Sequence, residues 1–392
     1  MKKLFKNGNI ILEDRILSQT DLLVQDGRIE QIAPPIAPPD AAVIDCTGLT
    51  IAPGFIDIHV HGGGGGDFMD ESPESLLRIL QTHTAHGTTS LFPTTLACGI
   101  EDTLRAVRRI EAFAKQAPPT LCRMVKVHLE GPYFNVIHKG AQPEEYIQIP
   151  HRDTYTRLLA PEIVGRISFA PEIENALELA EYAVNVRGIV GAIAHTNAAY
   201  EDIIAVYDRD VRLLTHLYSA MPVVHRVNGY RKIGVAETSF LLDEMFVEVI
   251  GDGKHLPREL LRLIYKIKGP DRIVLITDAM RAAGQSVTES YLGSQEQGVK
   301  VCIRDDVAFM PDGQNFAGSI ATMDRVVRNM VELADVPLVD AIRMASLTPA
   351  KAMRIDSDTG SITPGKRADL VLLDQDLHVR KTFVGGRETA EI

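Results

Sequence analysis

The sequence predicts an α/β fold, namely a (β/α)8 TIM barrel with a small β-sandwich domain formed by the two chain ends. Two observations predict it. Short, nearly continuous apolar runs alternate with helical segments through the middle of the chain, which is typical of parallel strands covered on both faces. At both ends, shorter segments alternate apolar and polar residues instead, which indicates antiparallel strands.

The terminal segments predict one small β domain. Residues 3–12 and 22–33 alternate in strand fashion, and Asp26-Gly27 marks a hairpin turn. Near the other end, ADLVLLD (368–374) and VRKTFVGGRE (379–388) have the same character. Neither piece has enough apolar surface to be stable alone, so we expect residues 1–53 and 358–392 to form one domain around a barrel of residues 54–357.

The barrel is predicted from eight apolar runs separated by helical segments. In SPESLLRILQTHTAHG, for example, Ser72 is a cap, Pro73 lies in the first turn and Gly87 ends the helix. The predicted strands are FIDIHVH (55–61), SLFPT (90–94), RMVKVHLE (123–130), RISFA (166–170), IVGAIAH (189–195), RLLTH (212–216), FVEVI (246–250) and RIVLITD (272–278). Residues 131–152 are longer than an ordinary connection and predict a lid or binding loop at the active-site end.

Charge and composition exclude several kinds of partner. The 392-residue chain has a formal net charge of −11 and no block rich in Lys and Arg, so we expect neither nucleic-acid nor membrane binding. Lys6, Asn7 and Asn9 interrupt the apolar stretch at the N-terminus, and no segment approaches the length of a membrane span. We therefore expect a cytoplasmic protein that binds a small molecule, with a local basic pocket if that molecule is an anion.

Metal-binding residue types stand at the ends of the predicted strands. In a barrel these ends face one common mouth, so residues far apart in sequence converge there. Two histidines one residue apart project to the same side of a strand and can bind one ion together. Nitrogen and oxygen ligands without thiolate suit Zn²⁺ or Fe²⁺. The strand-end residues are His59, His61, Glu130, His195, His216 and Asp278.

A metal centre of this kind fits amide hydrolysis. The ion would lower the pKa of a bound water toward ~7 and so supply hydroxide at neutral pH. Asp278 can take the proton from the attacking water and pass it to the leaving nitrogen, although a helix cap is the alternative interpretation of this residue. The glycine run after His61 does not match a phosphate loop, because no Gly-Lys-Ser/Thr follows it. It indicates either a closely approached backbone or flexibility.

These residues lie in motifs through which the chain resembles the amidohydrolase superfamily, and within it the N-acetylglucosamine-6-phosphate deacetylase family. The similarity covers almost the entire chain and follows the same motif order. The motifs are PGFIDIHVHG (53–62), HLEGPY (128–133), AHTNA (194–198), THLYSAM (215–221), DGKH (252–255), ITDAM (276–280) and FAGS (316–319), followed by ASLTPAKAM and GSITPGKRADLVLLD.

The resemblance implies a metal-dependent hydrolase that removes the acetyl group from an N-acetylated amino sugar phosphate, and a homodimer with its pockets near the subunit interface. It implies that Glu130, His195 and His216 bind the principal metal, that His59 and His61 hold a second ion, and that Asp278 is the catalytic acid and base. One or two ions, Zn²⁺ or Fe²⁺, are therefore expected. The implied substrate-binding residues are Arg226 for the phosphate, together with His255, Ala141, Ser219, Ala220, Ala317 and Gly318.

Three departures from the family pattern concern substrate specificity. Gln142 stands where the family usually has His, Ser219 replaces Asn, and Val227-Asn228 interrupts an REPG motif. We expect all three on the sugar-phosphate side of the site and none at the metal. Deacylation of another amino sugar or of an N-acyl amino acid therefore stays open. A hydantoinase is disfavoured because the fourth strand offers no lysine, and a non-catalytic binding barrel is disfavoured because Glu130 and Asp278 are both present.

Overall fold

The computed structural model describes residues 2–36, 38 and 40–390. Parallel strands form the predicted barrel, and each pairs with the next along the chain. Among the described residues, the eight barrel strands are Phe55–Val60, Thr88–Thr95, Val127–Glu130, Val164–Phe169, Val190–Ile193, Leu213–Leu214, Phe246–Ile250 and Ile273–Ile276. A short strand, Arg123–Met124, also pairs with the second barrel strand.

The ring closes between its last and first strands. Asp278 N donates to His59 O at 3.0 Å, and His61 N donates to Ala279 O at 2.9 Å. Val60 and Ala279 form an isolated parallel bridge. This closure aligns the first strand with the segment that follows the eighth, so that the two histidines and Asp278 meet at one edge.

Helices cover the outside of the barrel, as the alternating pattern predicts. The first helix begins at Pro73 after the Ser72 cap, whose side chain accepts from Glu74 N, and ends just before Gly87. None of the helices in the described ranges is long and apolar enough to cross a membrane. The helices are Pro73–Ala85, Ile100–Ala114, Arg152–Leu158, Ala176–Ala180, the π-helix Glu181–Val186, Tyr200–Tyr207, Val235–Leu241, Arg258–Lys268, Met323–Glu332, Leu338–Ala345 and Leu347–Ala352.

The two chain ends join in one mixed sheet, as expected. Asp26 and Gly27 have φ of 50° and 80° and form the predicted hairpin turn. The strands are Lys2–Ile11, Ile16–Gln25, Arg28–Ala33, Ala42–Asp45, Thr50–Pro53, Leu370–Leu373, Val379–Val384 and Arg387–Glu388. The rings of Phe5 and Phe383 lie 4.9 Å apart although their strands are not neighbours in the sheet, so the sheet curls over its own core. The domain limits at residues 53 and 358 stay a prediction.

Smaller elements surround the barrel mouth. An antiparallel sheet consists of Glu289–Leu292, Val299–Arg304, Val307–Phe309 and Phe316–Ser319, and two hairpins consist of Gly62–Gly63 with Gly66–Asp67 and of His225–Val227 with Tyr230–Lys232. The loop of residues 131–152 contains the 3-10 turns Val136–His138 and Glu144–Tyr146.

The glycine run is a close-packed turn. A side chain on Gly62 would lie 2.3 Å from Gly66 O, and one on Gly63 would lie 2.8 Å from His83 Nε2. His83 Nε2 also lies 2.9 Å from Gly62 O, within hydrogen-bonding distance. Of the two interpretations left open by the sequence, close backbone approach is therefore the one that these contacts support.

Candidate metal centre

Two strands supply the first three residues of the candidate metal centre. His59 lies in the first barrel strand and is fully buried, and His61 follows the strand and is 5% exposed. Their rings are 5.2 Å apart. Glu130 is the last residue of the third strand and is 2% exposed. The carboxylate therefore faces the two imidazoles from two strands farther along the barrel wall.

The other two predicted metal ligands and the predicted catalytic acid follow strands and have an unusual backbone conformation. His195, His216 and Asp278 have φ of 44°, 28° and 47°. For residues other than glycine, this left-handed region costs on the order of 1–3 kcal/mol and is concentrated at functional sites. The sharp change in chain direction turns each side chain toward the barrel mouth as the strand ends.

Four imidazoles surround the Glu130 carboxylate. Oε1 lies 3.3 Å from His59 Nε2, 3.4 Å from His195 Nε2 and 3.2 Å from His216 Nε2, while Oε2 lies 3.4 Å from His61 Nε2. The group offers two ligand sets that share Glu130: one with His59 and His61, the other with His195 and His216. The structure thus brings together all five predicted ligands.

These separations fit a tetrahedral metal ion. Two ligand atoms bound at roughly 2.0–2.1 Å to one such ion lie about 3.3 Å apart. His216 Nε2 also lies 3.2 Å from His195 Nε2. These two nitrogens and Glu130 Oε1 would together hold one cation.

The other ring nitrogens set the tautomers that a metal requires. His59 Nδ1 lies 3.2 Å from Glu248 Oε2, and His195 Nδ1 lies 2.9 Å from His138 O. Because these oxygens accept, both Nδ1 atoms carry a proton, so Nε2 is the nitrogen that each ring would offer to a metal. Among the described residues, the buried His59 Nε2 has no hydrogen-bonding partner, which is the property expected of a metal ligand.

A buried ion pair supports the cluster from below. Glu248 and Arg166 are both fully buried and form a salt bridge. Glu248 Oε2 also accepts from His216 N at 3.2 Å, and Arg166 donates to Ile58 O at 3.0 Å and Thr215 Oγ1 at 2.9 Å. Sequence reasoning missed both residues, although a charged residue inside an apolar strand run (RISFA and FVEVI) was an available signal.

Asp278 faces the histidines of the first strand. Its Oδ1 lies 3.3 Å from His61 Nε2 and 3.5 Å from His59 Nε2. Burial acts to raise the pKa of Asp278, but the charge of His59 and a hydrogen bond from His61 outweigh it and hold that pKa below its ordinary value. The next described helix begins only at Met323, so Asp278 is not the helix cap considered as an alternative.

Burial likewise acts to raise the pKa of Glu130. The charge of His59 and hydrogen bonds from His195 and His216 outweigh this effect and hold the pKa well below its ordinary value. The carboxylate is therefore ionised at neutral pH. An ionised bridging carboxylate is the form that binds metal.

A cavity of about 280 Å³ opens above the cluster. Ten of the predicted site residues line it, namely His61, Glu130, His195, His216, Asp278, Ala141, Ser219, Ala220, His255 and Gly318. His59 lies beneath it, and Ala317 is buried in an adjacent apolar cluster. A larger cavity of about 720 Å³ lies beside it and shares Leu96 and Leu292, but the proposed metal ligands do not line that cavity.

Arg226 does not line the cavity of its own chain. It lies on the exposed hairpin of His225–Val227 and Tyr230–Lys232. Among the cavity-lining residues of the described chain there is no lysine and no arginine. The basic pocket expected for an anionic substrate is therefore not supplied by lysine or arginine among these lining residues.

His255 is the cationic candidate inside the cavity. Its Nδ1 lies 2.8 Å from Asp252 Oδ2, so Nε2 is the ring nitrogen that can serve a ligand. Burial acts to lower the pKa of His255, but the hydrogen bond and charge of Asp252 outweigh it, so that pKa lies above its ordinary value. The ring also packs on Phe316 at 4.8 Å between centroids.

The placement of Gln142 corrects one sequence-based expectation. We expected this residue on the sugar-phosphate side, away from the metal, but its Nε2 donates to Glu130 Oε2 at 2.6 Å. The loop of residues 131–152 folds back over the strand that ends in Glu130, and position in the sequence gave no sign of that path. Other lining residues that sequence reasoning missed are Leu96, Gly140, Tyr218, Leu292, Gln314, Asn315 and Phe316.

Comparison with known proteins gives consistent relatives. The Amidohydrolase family profile matches residues 50–389. The chain is 32% identical over 372 residues to the N-acetylglucosamine-6-phosphate deacetylase of Lysinibacillus sphaericus, with 94% of this chain and 93% of that protein covered. It is also 32% identical over 392 residues to the N-acetylgalactosamine-6-phosphate deacetylase of Escherichia coli O157:H7, with 99% of both covered.

Solved structures agree over the whole length. The crystal structure of N-acetylglucosamine-6-phosphate deacetylase from Pasteurella multocida matches with a TM-score of 0.91 at 30% identity, covering 100% of both chains. A mutant of the Mycobacterium smegmatis enzyme in complex with N-acetyl-D-glucosamine-6-phosphate matches with a TM-score of 0.89 at 30% identity, also covering 100% of both.

Proposed function

The chain belongs to the amidohydrolase family, and from that premise we propose that it is a metal-dependent deacetylase of an N-acetylated amino sugar phosphate. The observation that carries the proposal is the single carboxylate, Glu130, surrounded by four imidazole nitrogens at 3.2–3.4 Å beneath a cavity that also contains Asp278. The substrate class follows the relatives, whose names specify N-acetylglucosamine 6-phosphate and N-acetylgalactosamine 6-phosphate.

The residues divide between metal binding and proton transfer. Glu130, His195 and His216 would hold one divalent cation, and His59 and His61 would hold a second that shares Glu130. Nitrogen and oxygen donors favour Zn²⁺ or Fe²⁺. A cation held there polarises a carbonyl oxygen and makes water a stronger acid.

Asp278 is proposed as the proton carrier. Its carboxylate is ionised and faces the same cavity, so it can accept the proton that water loses as it attacks the acetyl carbonyl. The protonated acid then donates to the amide nitrogen as the carbon–nitrogen bond breaks, which leaves the free amine and acetic acid, and the acetic acid releases its remaining proton to solvent as acetate. Both proton transfers occur at one carboxylate, and the enzyme returns to its starting state.

His255 and the backbone beside Gly318 would contact the sugar. Asp252 keeps His255 protonated over a wider pH range, which favours a negatively charged ligand. Ala141, Ser219 and Ala220 line the same cavity and would complete the contact surface.

We further propose that the phosphate is bound across a homodimer by Arg226 of the opposite subunit. The cavity has no lysine or arginine among its described lining residues, while Arg226 lies exposed on a hairpin of the same chain. Guanidinium binds phosphate through two parallel hydrogen bonds. An arginine supplied by a second copy satisfies both observations.

The substrate assignment is tested by acetate release. Purified protein is assayed on the 6-phosphates of N-acetylglucosamine and N-acetylgalactosamine, on the two unphosphorylated sugars, and on N-acyl amino acids. We expect turnover of at least one sugar phosphate and much lower kcat/KM without the phosphate. If only N-acyl amino acids were turned over, the sugar phosphate assignment would be wrong, whereas the assignment as an amide hydrolase would still hold.

The dimer arrangement is tested with mixed dimers. Chains carrying Arg226→Met and chains carrying Asp278→Asn are tagged differently, co-expressed and purified as heterodimers. If Arg226 serves the opposite cavity, the mixed dimer contains one complete site and regains about half of the wild-type kcat/KM. If Arg226 acts within its own chain, neither site is complete and activity stays at the level of the parents. Lys232→Met, on the other face of the hairpin, is the matched control.

A further inference from the structure

Gln142 is held rigidly between two buried partners. Its side chain is 4% exposed. Its Oε1 accepts from Ala97 N at 2.9 Å, and its Nε2 donates to Glu130 Oε2 at 2.6 Å. Its own backbone N–H donates to Lys139 O at 3.0 Å. The residue therefore connects the end of the second strand to the acid that the two cation positions share.

The amide orientation follows from its partners. The backbone N–H of Ala97 can only donate, so the amide oxygen must face it and the amide nitrogen must face Glu130. Glu130 Oε2 is therefore the acceptor of this contact. At 2.6 Å it is a short hydrogen bond from an amide to a carboxyl oxygen.

This bond makes the two Glu130 oxygens different. Oε1 faces His59, His195 and His216 and receives no amide. Oε2 faces His61 and has one of its two acceptor directions occupied by Gln142. The amide therefore lowers the capacity of Oε2 to bind a cation while it fixes the rotation of the whole carboxylate.

We propose that Gln142 is a positioning residue that makes the two cation positions unequal: tight at Glu130, His195 and His216, and weaker at Glu130, His59 and His61. The inference rests on the metal centre of the proposed function. Affinity at the tight position is higher because Gln142 holds Oε1 in a fixed place, so the carboxylate is already ordered before the ion binds. The weaker position includes His61, which faces Oε2, and that oxygen already accepts a hydrogen bond from Gln142.

The test is metal binding by the apoprotein, without any assay of turnover. Zn²⁺ is titrated calorimetrically into wild type and into Gln142→Leu, which removes both amide bonds at similar volume. For wild type we expect two separate binding steps. In the variant the tighter dissociation constant should rise about 10- to 100-fold, as is typical when a residue that supports a ligand is removed. The ratio of the weaker to the tighter dissociation constant should fall at least tenfold.

Melting temperatures separate positioning from loop support. If Gln142 only anchors its loop, Gln142→Leu lowers the Tm of apoprotein and Zn²⁺-loaded protein equally. If Gln142 positions Glu130, the substitution lowers the Tm of the Zn²⁺-loaded protein more than the Tm of the apoprotein. Gln142→Met is the second variant should the leucine protein fail to fold, and Gln148→Leu, on the same loop, is the control.

The outcomes distinguish this inference from the proposed function. Three outcomes would overturn the role of Gln142 and leave the metal centre intact. They are two equal Zn²⁺ dissociation constants in wild type, an equal rise of both constants in the variant, or variant constants within about twofold of wild type. A wild-type apoprotein that binds no Zn²⁺ would overturn the metal centre itself.

Discussion

The substitution Asp278→Asn should remove proton transfer while leaving the fold and the metal in place. Asparagine has nearly the same shape as aspartate and tolerates the left-handed backbone, where Asp278 has φ of 47°. The backbone bonds from Asp278 N to His59 O and from Ser319 N to Asp278 O remain available. The cation position at Glu130, His195 and His216 does not include Asp278, so at least one ion should stay bound.

The expected loss follows from the chemistry of the side chain. A neutral amide cannot take a proton from water or give one to the leaving nitrogen at neutral pH. General acid–base catalysis by one positioned group contributes about 10²- to 10⁴-fold, which corresponds to roughly 2.7–5.4 kcal/mol of activation free energy. We therefore expect kcat to fall by that factor.

Three measurements check this expectation. Acetate release gives kcat and KM, elemental analysis gives the metal content, and thermal unfolding gives the Tm. Asp305→Asn is the matched control, because Asp305 has φ of 50° and is exposed on a hairpin outside the cavity. A metal-loaded Asp278→Asn protein within tenfold of wild-type kcat would refute the assignment. Loss of the metal together with activity would instead make Asp278 a ligand.

Three further outcomes are expected. In Asp252→Asn the pKa of His255 should drop. Protonated His255 is present below that pKa and is lost as pH rises through it, so in the variant it should be lost at a lower pH. The alkaline limb of kcat/KM for the sugar phosphate should therefore shift to lower pH, and an unshifted limb would contradict the role of His255. Chelation should lower the Tm and added Zn²⁺ should restore it, since a ligand at a thousand times its Kd contributes about 4 kcal/mol; an unchanged Tm would indicate no bound ion. Arg166→Met should lower the free energy of unfolding by roughly 3–5 kcal/mol because it leaves the Glu248 carboxylate buried without the Arg166 guanidinium. Urea titration measures this free energy. Lys300→Met is the surface control, and its free energy of unfolding should be near that of wild type.

The barrel and the metal ligands could be predicted because their signals are local. Five of the eight apolar runs contain a predicted site residue at their end or are followed by one within two residues, and the fold then brings those ends together. The His59–His61 pair needs no information beyond the side-chain period of a strand. The same holds for the Asp26-Gly27 turn and for the helix that begins at Pro73.

The residues that support the ligands could not be predicted in this way. Gln142 contacts Glu130 only because the intervening loop turns back over the strand, and Glu248 and Arg166 meet across the barrel interior from strands distant in sequence. Arg226 has a residue type suited to phosphate, but it lies on an exposed hairpin and does not line the cavity of its own chain. Pattern periodicity carries no information on such long-range paths.

The sheet formed by both chain ends has a consequence for biosynthesis. Ile51 pairs with Leu372, so the Thr50–Pro53 strand must wait for a partner that is synthesised only after the whole barrel. During that interval the Thr50–Pro53 strand presents an open edge, which is a site for aggregation in nascent chains. Premature termination before Leu370 would make that exposure permanent, even with every catalytic side chain already synthesised.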